Sequence, residues 1–176
     1  MQRLVDIAPA QIPQIWALLS QIPDPEVPVL TITDLGMVRS VKAQGEGWVI
    51  GFTPTYSGCP AMQVISEAVS EALHAHGLEK VKLVNRLSPA WTTDWMSETG
   101  KAALKGYGIA PPVQQAIDIS GLRGGVKRGT FKEPEITCPN CGSKHTQLTS
   151  QFGSTPCKAL YKCLDCREPF DYFKCH

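Results

Sequence analysis

Four cysteines in the last third of the chain form two Cys-x-x-Cys pairs, CPNC at 138–141 and CLDC at 163–166. Each pair places two thiolates on a tight turn, where backbone N–H groups can reach the sulfur atoms. Four thiolates in a tetrahedral array suit Zn²⁺. We therefore predict that Cys138, Cys141, Cys163 and Cys166 hold a structural zinc ion. An iron–sulfur cluster, which also takes four thiolates, is the alternative.

Three further potential ligands lie in the same tail: Cys157, Cys175 and His176. They could be packing thiols, a redox pair or secondary metal ligands, and His145 is a fourth candidate. Their spacing does not choose among these roles.

A single cysteine, Cys59, lies in the first part of the chain, between a predicted strand and a predicted helix. The positive end of a helix dipole lowers the pKa of a thiol at the helix N-terminus and makes the thiolate more available. No histidine is adjacent in the sequence, which argues against a hydrolytic nucleophile. A lone cysteine also occurs as a small buried hydrophobe, so its spacing leaves both roles open.

Three acidic residues, Asp24, Glu26 and Asp34, lie among prolines and turn residues. Carboxylates in such positions cap turns, and together with Cys59 they could also ligate a metal. Spacing alone favours turn capping.

The elements that position these residues follow from the hydrophobic pattern. Apolar residues at helical spacing predict helices near 12–19, 60–76 and 94–106, and alternation predicts strands near 37–43, 47–54 and 81–87. The order α-β-β-α-β-α predicts an α+β fold, in which helices pack on a small mixed sheet.

A change in composition divides the chain. Residues 108–135 are rich in Pro and Gly with weak periodicity, so we expect a linker or interface segment between a domain at 1–107 and a zinc ribbon at 136–176. About 40 residues are too few for a good core without a metal. Residues 146–150 and 159–163 can form ribbon strands, and FDYF at 170–173 is either a further strand or a docking surface.

Composition and charge exclude several classes of function. No apolar run approaches the roughly 20 residues that cross a bilayer, and the N-terminus lacks a signal-peptide pattern, so we expect a cytoplasmic protein without membrane contact. Residues 1–120 carry 8 basic against 11 acidic residues and residues 121–176 carry 9 against 5, which is too little positive charge to favour nucleic acid. Nucleotide-binding glycine loops and di-iron E-x-x-H helices are absent from the sequence, so we predict no catalytic residues and no independent enzyme.

Three segments carry a family resemblance: DPEVPVLTITDLGMV at 24–38, TPTYSGCPAM at 53–62 and PAWTTDWMS at 89–97. They closely resemble the SufT-like metal–sulfur cluster assembly family over about residues 10–107. The tail SQFGSTPCKALYKCLDCREPFDYFKCH resembles one branch of that family, which serves phenylacetate catabolism. The family's motif cysteine corresponds to Cys59 and its acidic positions to Asp24, Glu26 and Asp34. The resemblance therefore implies a transfer site for iron or an iron–sulfur cluster at these residues.

The resemblance also implies a role beside the multicomponent phenylacetyl-CoA ring 1,2-epoxidase. That role is a non-catalytic accessory protein assisting assembly or insertion of iron or iron–sulfur centres, and the alternative is a structural subunit of the epoxidase complex. The implied partners are the oxygenase and reductase components of the epoxidase, or the iron–sulfur assembly machinery. A homodimer is a further expectation, because two chains with one cysteine each could share a cluster.

Overall fold

The computed structural model describes residues 11–113 and 135–174. The chain divides into two compact units, of which the first extends to Tyr107 and the second begins at Gly108. No helix in the described ranges has the length and apolar character needed to span a membrane.

The first unit has the predicted element order and is a mixed α+β fold. Its elements are α1 (Gln11–Leu19), β1 (Val38–Gln44), β2 (Gly47–Phe52), α2 (Ala61–His74), β3 (Val81–Asn85), a 3-10 turn (Thr93–Trp95) and α3 (Glu98–Gly106). The central strand β2 pairs antiparallel with β1 and parallel with β3. The expected small mixed sheet with helices packed on it is therefore confirmed.

The core of the first unit lies between this sheet and the helices. Strand β2 buries Trp48, Ile50 and Phe52, which alternate along the strand. Helices α1 and α2 contribute residues at helical spacing: Ile15, Leu19, Ile65, Val69 and Leu73. Burying each large apolar side chain contributes about 1.5–3 kcal/mol, so these elements hold the loops between them in place.

A compact loop connects α1 to β1 and carries the acidic residues singled out above. Backbone hydrogen bonds join residues 22–24 to residues 30–32: Asp24 N–H donates to the Leu30 carbonyl at 2.8 Å, and Ile32 N–H donates to the Ile22 carbonyl at 3.0 Å. The Trp91 indole N–H donates to the Leu35 carbonyl at 2.7 Å. This bond joins the family segment at residues 89–97 to the one at residues 24–38.

The second unit is a four-stranded sheet. Its strands are β4 (Ile109–Ala110), β5 (Thr146–Ser150), β6 (Lys158–Cys163) and β7 (Pro169–Phe173), in the spatial order β4-β7-β6-β5. Of the two alternatives for FDYF, the strand is the one observed, because these residues lie in β7. Ile109 and Ala110, at the start of the expected linker, pair with β7 instead. A two-residue strand is too short to show alternation, so the sequence contains no signal for it. Residues 114–134 of the expected linker lie outside the described residues.

The core of the second unit is small and includes two of the predicted metal ligands. Cys138 and Cys163 are fully buried beside Phe170 and Tyr172. The Tyr161 ring stacks on the Phe170 ring with centroids 5.9 Å apart. The stability of a core built around two thiols depends on the group that these thiols bind.

Candidate metal centre

The structure brings the four predicted cysteines together. Their Sγ atoms all lie within 4.8 Å of one another. The Sγ atoms of Cys141 and Cys163 are 3.6 Å apart, and those of Cys138 and Cys166 are 3.8 Å apart. A regular tetrahedron with Zn–S bonds of about 2.3 Å has edges of about 3.8 Å. The donor set therefore fits a zinc ion in both chemistry and spacing.

The two Cys-x-x-Cys turns, here called the knuckles, share one backbone pattern. In the first knuckle, Cys138 N–H donates to the Ser143 carbonyl at 2.8 Å, and in the second, Cys163 N–H donates to the Glu168 carbonyl at 3.0 Å. In each case the first cysteine bonds to the residue five positions later. Both turns thus fold back so that the two thiols of a pair face the same point.

The residue after each pair has a left-handed backbone. Gly142 follows Cys141 with φ 76°, and Arg167 follows Cys166 with φ 66°. Glycine adopts this conformation without strain, whereas for a residue with a Cβ it costs about 1–2 kcal/mol. A glycine after the first pair is the residue type that such a turn favours, whereas the arginine after the second pair provides no sequence signal for it.

The environments of Cys163 and Cys166 shift their pKa values in opposite directions. Desolvation opposes ionisation of Cys163, but the N–H groups of Cys166 and Asp165 and the neighbouring thiols lower its pKa to about 6. At Cys166 the N–H of Glu168 favours the thiolate, but desolvation and the neighbouring thiols outweigh it and raise the pKa to about 12. Like charges this close cannot all ionise at neutral pH by themselves. A dication bound by these four thiols would displace the remaining protons and remove the repulsion.

Two of the secondary candidates, Cys157 and His145, lie in the described part of the tail and outside this group. Cys157 is 3% exposed, and its Sγ lies 3.0 Å from the Thr155 hydroxyl. The His145 ring lies against Asp165, with Nδ1 3.2 Å from Oδ1. Cys175 and His176 lie outside the described residues.

The Cys59 thiol lies in the loop between β2 and α2 and is 8% exposed. Burial raises its pKa, and the charges of Glu26 and Asp24 act in the same direction, whereas the Ala61 N–H and the Tyr56 hydroxyl act against them. The net effect is a raised pKa. This direction is opposite to the lowered pKa expected from a helix N-terminus alone, because burial and two nearby carboxylates disfavour the thiolate.

The Asp24 carboxylate combines a turn-capping role with proximity to Cys59. It is 6% exposed, and its Oδ1 accepts hydrogen bonds from the N–H groups of Glu26 at 2.9 Å and Val27 at 2.8 Å. Within residues 11–113 and 135–174, the four-cysteine group is the one set of three or more candidate ligands whose atoms lie within 4.8 Å of one another. Cys59, Asp24 and Glu26 are thus neighbours without forming a closed ligand set.

The Asp34 carboxylate is engaged elsewhere. Its Oδ2 accepts from the Thr31 N–H at 3.2 Å and the Thr31 hydroxyl at 2.7 Å, and its Oδ1 accepts from the Ser97 hydroxyl at 2.6 Å. None of the interactions found for Asp34 in the described part of the chain joins it to Cys59. Sequence reasoning missed Ser97, although a serine directly before a helix is a typical N-cap residue.

Comparisons with known proteins cover both units. The chain matches the family model for an iron–sulfur cluster assembly protein over residues 13–85, and the model for the PaaD zinc beta ribbon domain over residues 124–174. It is 58% identical over 175 residues to a protein of Escherichia coli (strain K12) that is provisionally named as one of the subunits of 1,2-phenylacetyl-CoA epoxidase. That match covers 99% of each chain.

Solved structures resemble about half of the chain. A domain of unknown function, DUF59, from Bacillus anthracis is 31% identical, with a TM-score of 0.50, and the match covers 54% of this chain and 92% of that one. A conserved hypothetical protein from Thermotoga maritima is 22% identical, with a TM-score of 0.45 and coverage of 58% and 96%.

Proposed function

Because the chain belongs to the family of this 1,2-phenylacetyl-CoA epoxidase subunit, we propose that it is an accessory protein of that epoxidase system in phenylacetate catabolism. It performs no oxygenation itself and assists the assembly or insertion of iron or iron–sulfur centres. The observation that carries this proposal is the full-length relationship combined with the match of residues 13–85 to an iron–sulfur cluster assembly protein.

The proposed transfer site is centred on Cys59, with Asp24 and Glu26 beside it. One thiol with two carboxylates is a donor set that iron accepts, and it is incomplete, so a client or a second copy supplies the remaining ligands. The raised pKa keeps the thiol protonated near neutral pH, and binding of the cargo therefore releases a proton. Because the thiol is 8% exposed, loading requires the 55–60 loop to open. Asp34 supports the site by fixing the loop that carries Asp24.

The proposed resident metal is a structural Zn²⁺ held by Cys138, Cys141, Cys163 and Cys166. When bound, it supplies four bonds that join the knuckles and complete a core too small to fold alone. The chain's own part is to hold the four sulfurs at 3.6–3.8 Å along two edges and to donate N–H groups to them. Clustered thiols that bind metal suit a reducing compartment, so the proposed setting is the cytoplasm.

The proposed partners are the oxygenase and reductase components of the epoxidase, or the iron–sulfur assembly machinery that supplies them. The four-stranded sheet of the second unit is the proposed docking surface for such a partner. A homodimer in which two Cys59 thiols share one cluster belongs to the same proposal.

The second candidate function is a structural subunit of the epoxidase complex that carries no metal between proteins. The burial of Cys59 and its raised pKa favour this role, because a buried, protonated thiol packs like a small hydrophobe.

One experiment separates the two functions. Epoxidase components that have been matured separately and already hold their full complement of metal are assayed with and without this chain. An accessory protein for assembly is dispensable in that mixture, and its Cys59→Ala variant behaves as the wild type does. If turnover still requires a stoichiometric amount of this chain, the structural-subunit function replaces the assembly function.

A further inference from the structure

Asp165 lies inside the second knuckle and bonds to the segment that follows the first. Its Oδ2 accepts a hydrogen bond from the Ser143 hydroxyl at 2.5 Å, and its Oδ1 lies 3.2 Å from Nδ1 of His145. Both oxygens of one carboxylate in the second knuckle therefore contact the segment that follows the first knuckle.

Neighbouring bonds orient the two groups that contact Asp165. The Ser143 oxygen accepts the His145 N–H at 2.9 Å, which fixes the hydroxyl group toward the carboxylate. Leu164 N–H donates to the His145 carbonyl at 2.8 Å, which adds a backbone link at the same place. The segment 143–145 is thus attached to residues 164–165 by side-chain and backbone bonds.

This attachment lies beside one edge of the thiol group. Ser143 is two residues after Cys141, Asp165 is two residues after Cys163, and the Sγ atoms of these two cysteines are 3.6 Å apart. A metal held by two knuckles leaves most easily when the knuckles separate, because each knuckle alone offers two thiolates. Bonds that span the knuckles oppose that separation.

We propose that Asp165 is a positioning residue that fastens the two knuckles together and slows release of the ribbon metal. This inference rests on the zinc assignment proposed above. It gives the two units opposite properties: the Cys59 site exchanges its cargo, whereas the four-cysteine site retains its ion.

The size of the effect follows from the exposure of the contact. The side chains of His145 and Asp165 are 68% and 57% exposed, so water competes for their bonds. Loss of one or two such bonds gives an increase of about three- to tenfold in the rate of metal release. The fold itself is expected to remain, since the Asp165 side chain is largely exposed.

The test uses the full-length protein and begins with its zinc content, which examines the zinc assignment separately from the fastening. Release is then followed with an excess of a chromogenic chelator such as 4-(2-pyridylazo)resorcinol. Asp165→Ala and Ser143→Ala are expected to release zinc faster than the wild type, and Asp165→Asn, which keeps an acceptor for Ser143, is expected to fall between. Glu168→Gln is the matched control, because it removes an exposed carboxylate near the same knuckle and is expected to leave the rate unchanged.

A second measurement separates positioning from general loss of structure. Co²⁺-substituted Asp165→Ala is expected to shift its ligand-field absorption while the amide signals of β5–β7 remain. Release by Asp165→Ala at the wild-type rate overturns the proposal, and so does an equal acceleration by Glu168→Gln. A wild-type chain with four intact cysteines that loses its zinc during gel filtration also contradicts a fastened site.

Discussion

The Ser97 hydroxyl donates a 2.6 Å hydrogen bond to Oδ1 of Asp34, although 63 residues separate them in the chain. The Ser97 N–H also donates to the Asp34 carbonyl at 2.8 Å, and the Ser97 oxygen accepts the Gly100 N–H at 2.9 Å. One serine therefore caps α3 and attaches that helix to the loop before β1. The Asp34 carboxylate is a fixed structural element of the first unit.

Replacing Asp34 is therefore expected to destabilise the first unit. Asp34→Ala removes three hydrogen bonds to a charged group and is expected to lower the free energy of unfolding by about 1–3 kcal/mol. All four tryptophans precede residue 108, so tryptophan fluorescence during urea unfolding reports the first unit selectively. Asp94→Asn, at an exposed position, is the control and should change little.

The same carboxylate predicts a pH dependence. Partial burial works against ionisation, but the bonds from Ser97 and Thr31 outweigh it and hold the pKa of Asp34 below its ordinary value. A lowered folded-state pKa gives stability that is present above the unfolded pKa and is lost as the pH falls through the folded one. Asp34→Asn should therefore lose less stability than the wild type between about pH 5 and pH 2. Equal losses in the two proteins would contradict this account.

Much of the fold is predictable from the sequence because apolar residues repeat at the spacing of a helix or a strand within each element. Alternation in β2 and the helical spacing of Ile65, Val69 and Leu73 predict element types directly, and the paired cysteines predict the four-sulfur group. Contacts between segments that are distant in the sequence cannot be predicted in this way, since no local pattern specifies them. The Asp34–Ser97 bond and the two-residue strand β4 both belong to that class.

The pKa of Cys59 likewise depends on residues that are distant in the sequence. The sequence places this cysteine at a helix start, and that position alone predicts only the effect of the helix dipole. The opposing factors are burial and the charges of Glu26 and Asp24, which tertiary folding brings to the thiol. The direction of its pKa shift thus required the structure.

The raised pKa of Cys59 predicts slow alkylation near neutral pH. Because the thiolate is the nucleophile, modification by iodoacetamide is expected to rise steeply only above about pH 8.5, the value for a free thiol. Glu26→Gln removes one charge that raises the pKa and should accelerate the reaction at pH 8, with Glu71→Gln on the exposed side of α2 as control. Mass spectrometry of the Cys59 peptide separates this thiol from the others. Reaction at pH 7 as fast as that of a free thiol would contradict a raised pKa.

The left-handed residues of the knuckles predict opposite effects of two substitutions. Arg167→Gly removes the Cβ at φ 66° and is expected to stabilise the second unit by up to about 1 kcal/mol. Gly142→Ala introduces the same strain at φ 76° in the other knuckle and is expected to destabilise by a similar amount. Hydrogen exchange of the β6 and β7 amides measures both changes in the zinc-bound protein. A destabilising Arg167→Gly would indicate that the arginine side chain makes a stabilising contact that exceeds its backbone strain.

Metal removal is expected to unfold the second unit and leave the first intact. Cys138 and Cys163 are fully buried in the core of the second unit, so four unpaired thiols within 4.8 Å of one another would face one another without the ion. Wild-type protein should contain one zinc per chain, and both a strong chelator and Cys163→Ser should abolish the amide protection of β5–β7. Tryptophan emission should not change, because every tryptophan lies in the first unit.

The matched control for metal removal is Cys157→Ser. This thiol is buried but lies outside the four-sulfur group, so the variant should keep its zinc. Iron in place of zinc, with visible charge-transfer absorption, would assign the site to an iron–sulfur cluster instead. A metal-free second unit that stays folded would show that Phe170, Tyr172 and their neighbours suffice as a core, because the thiols would then contribute no more than their packing.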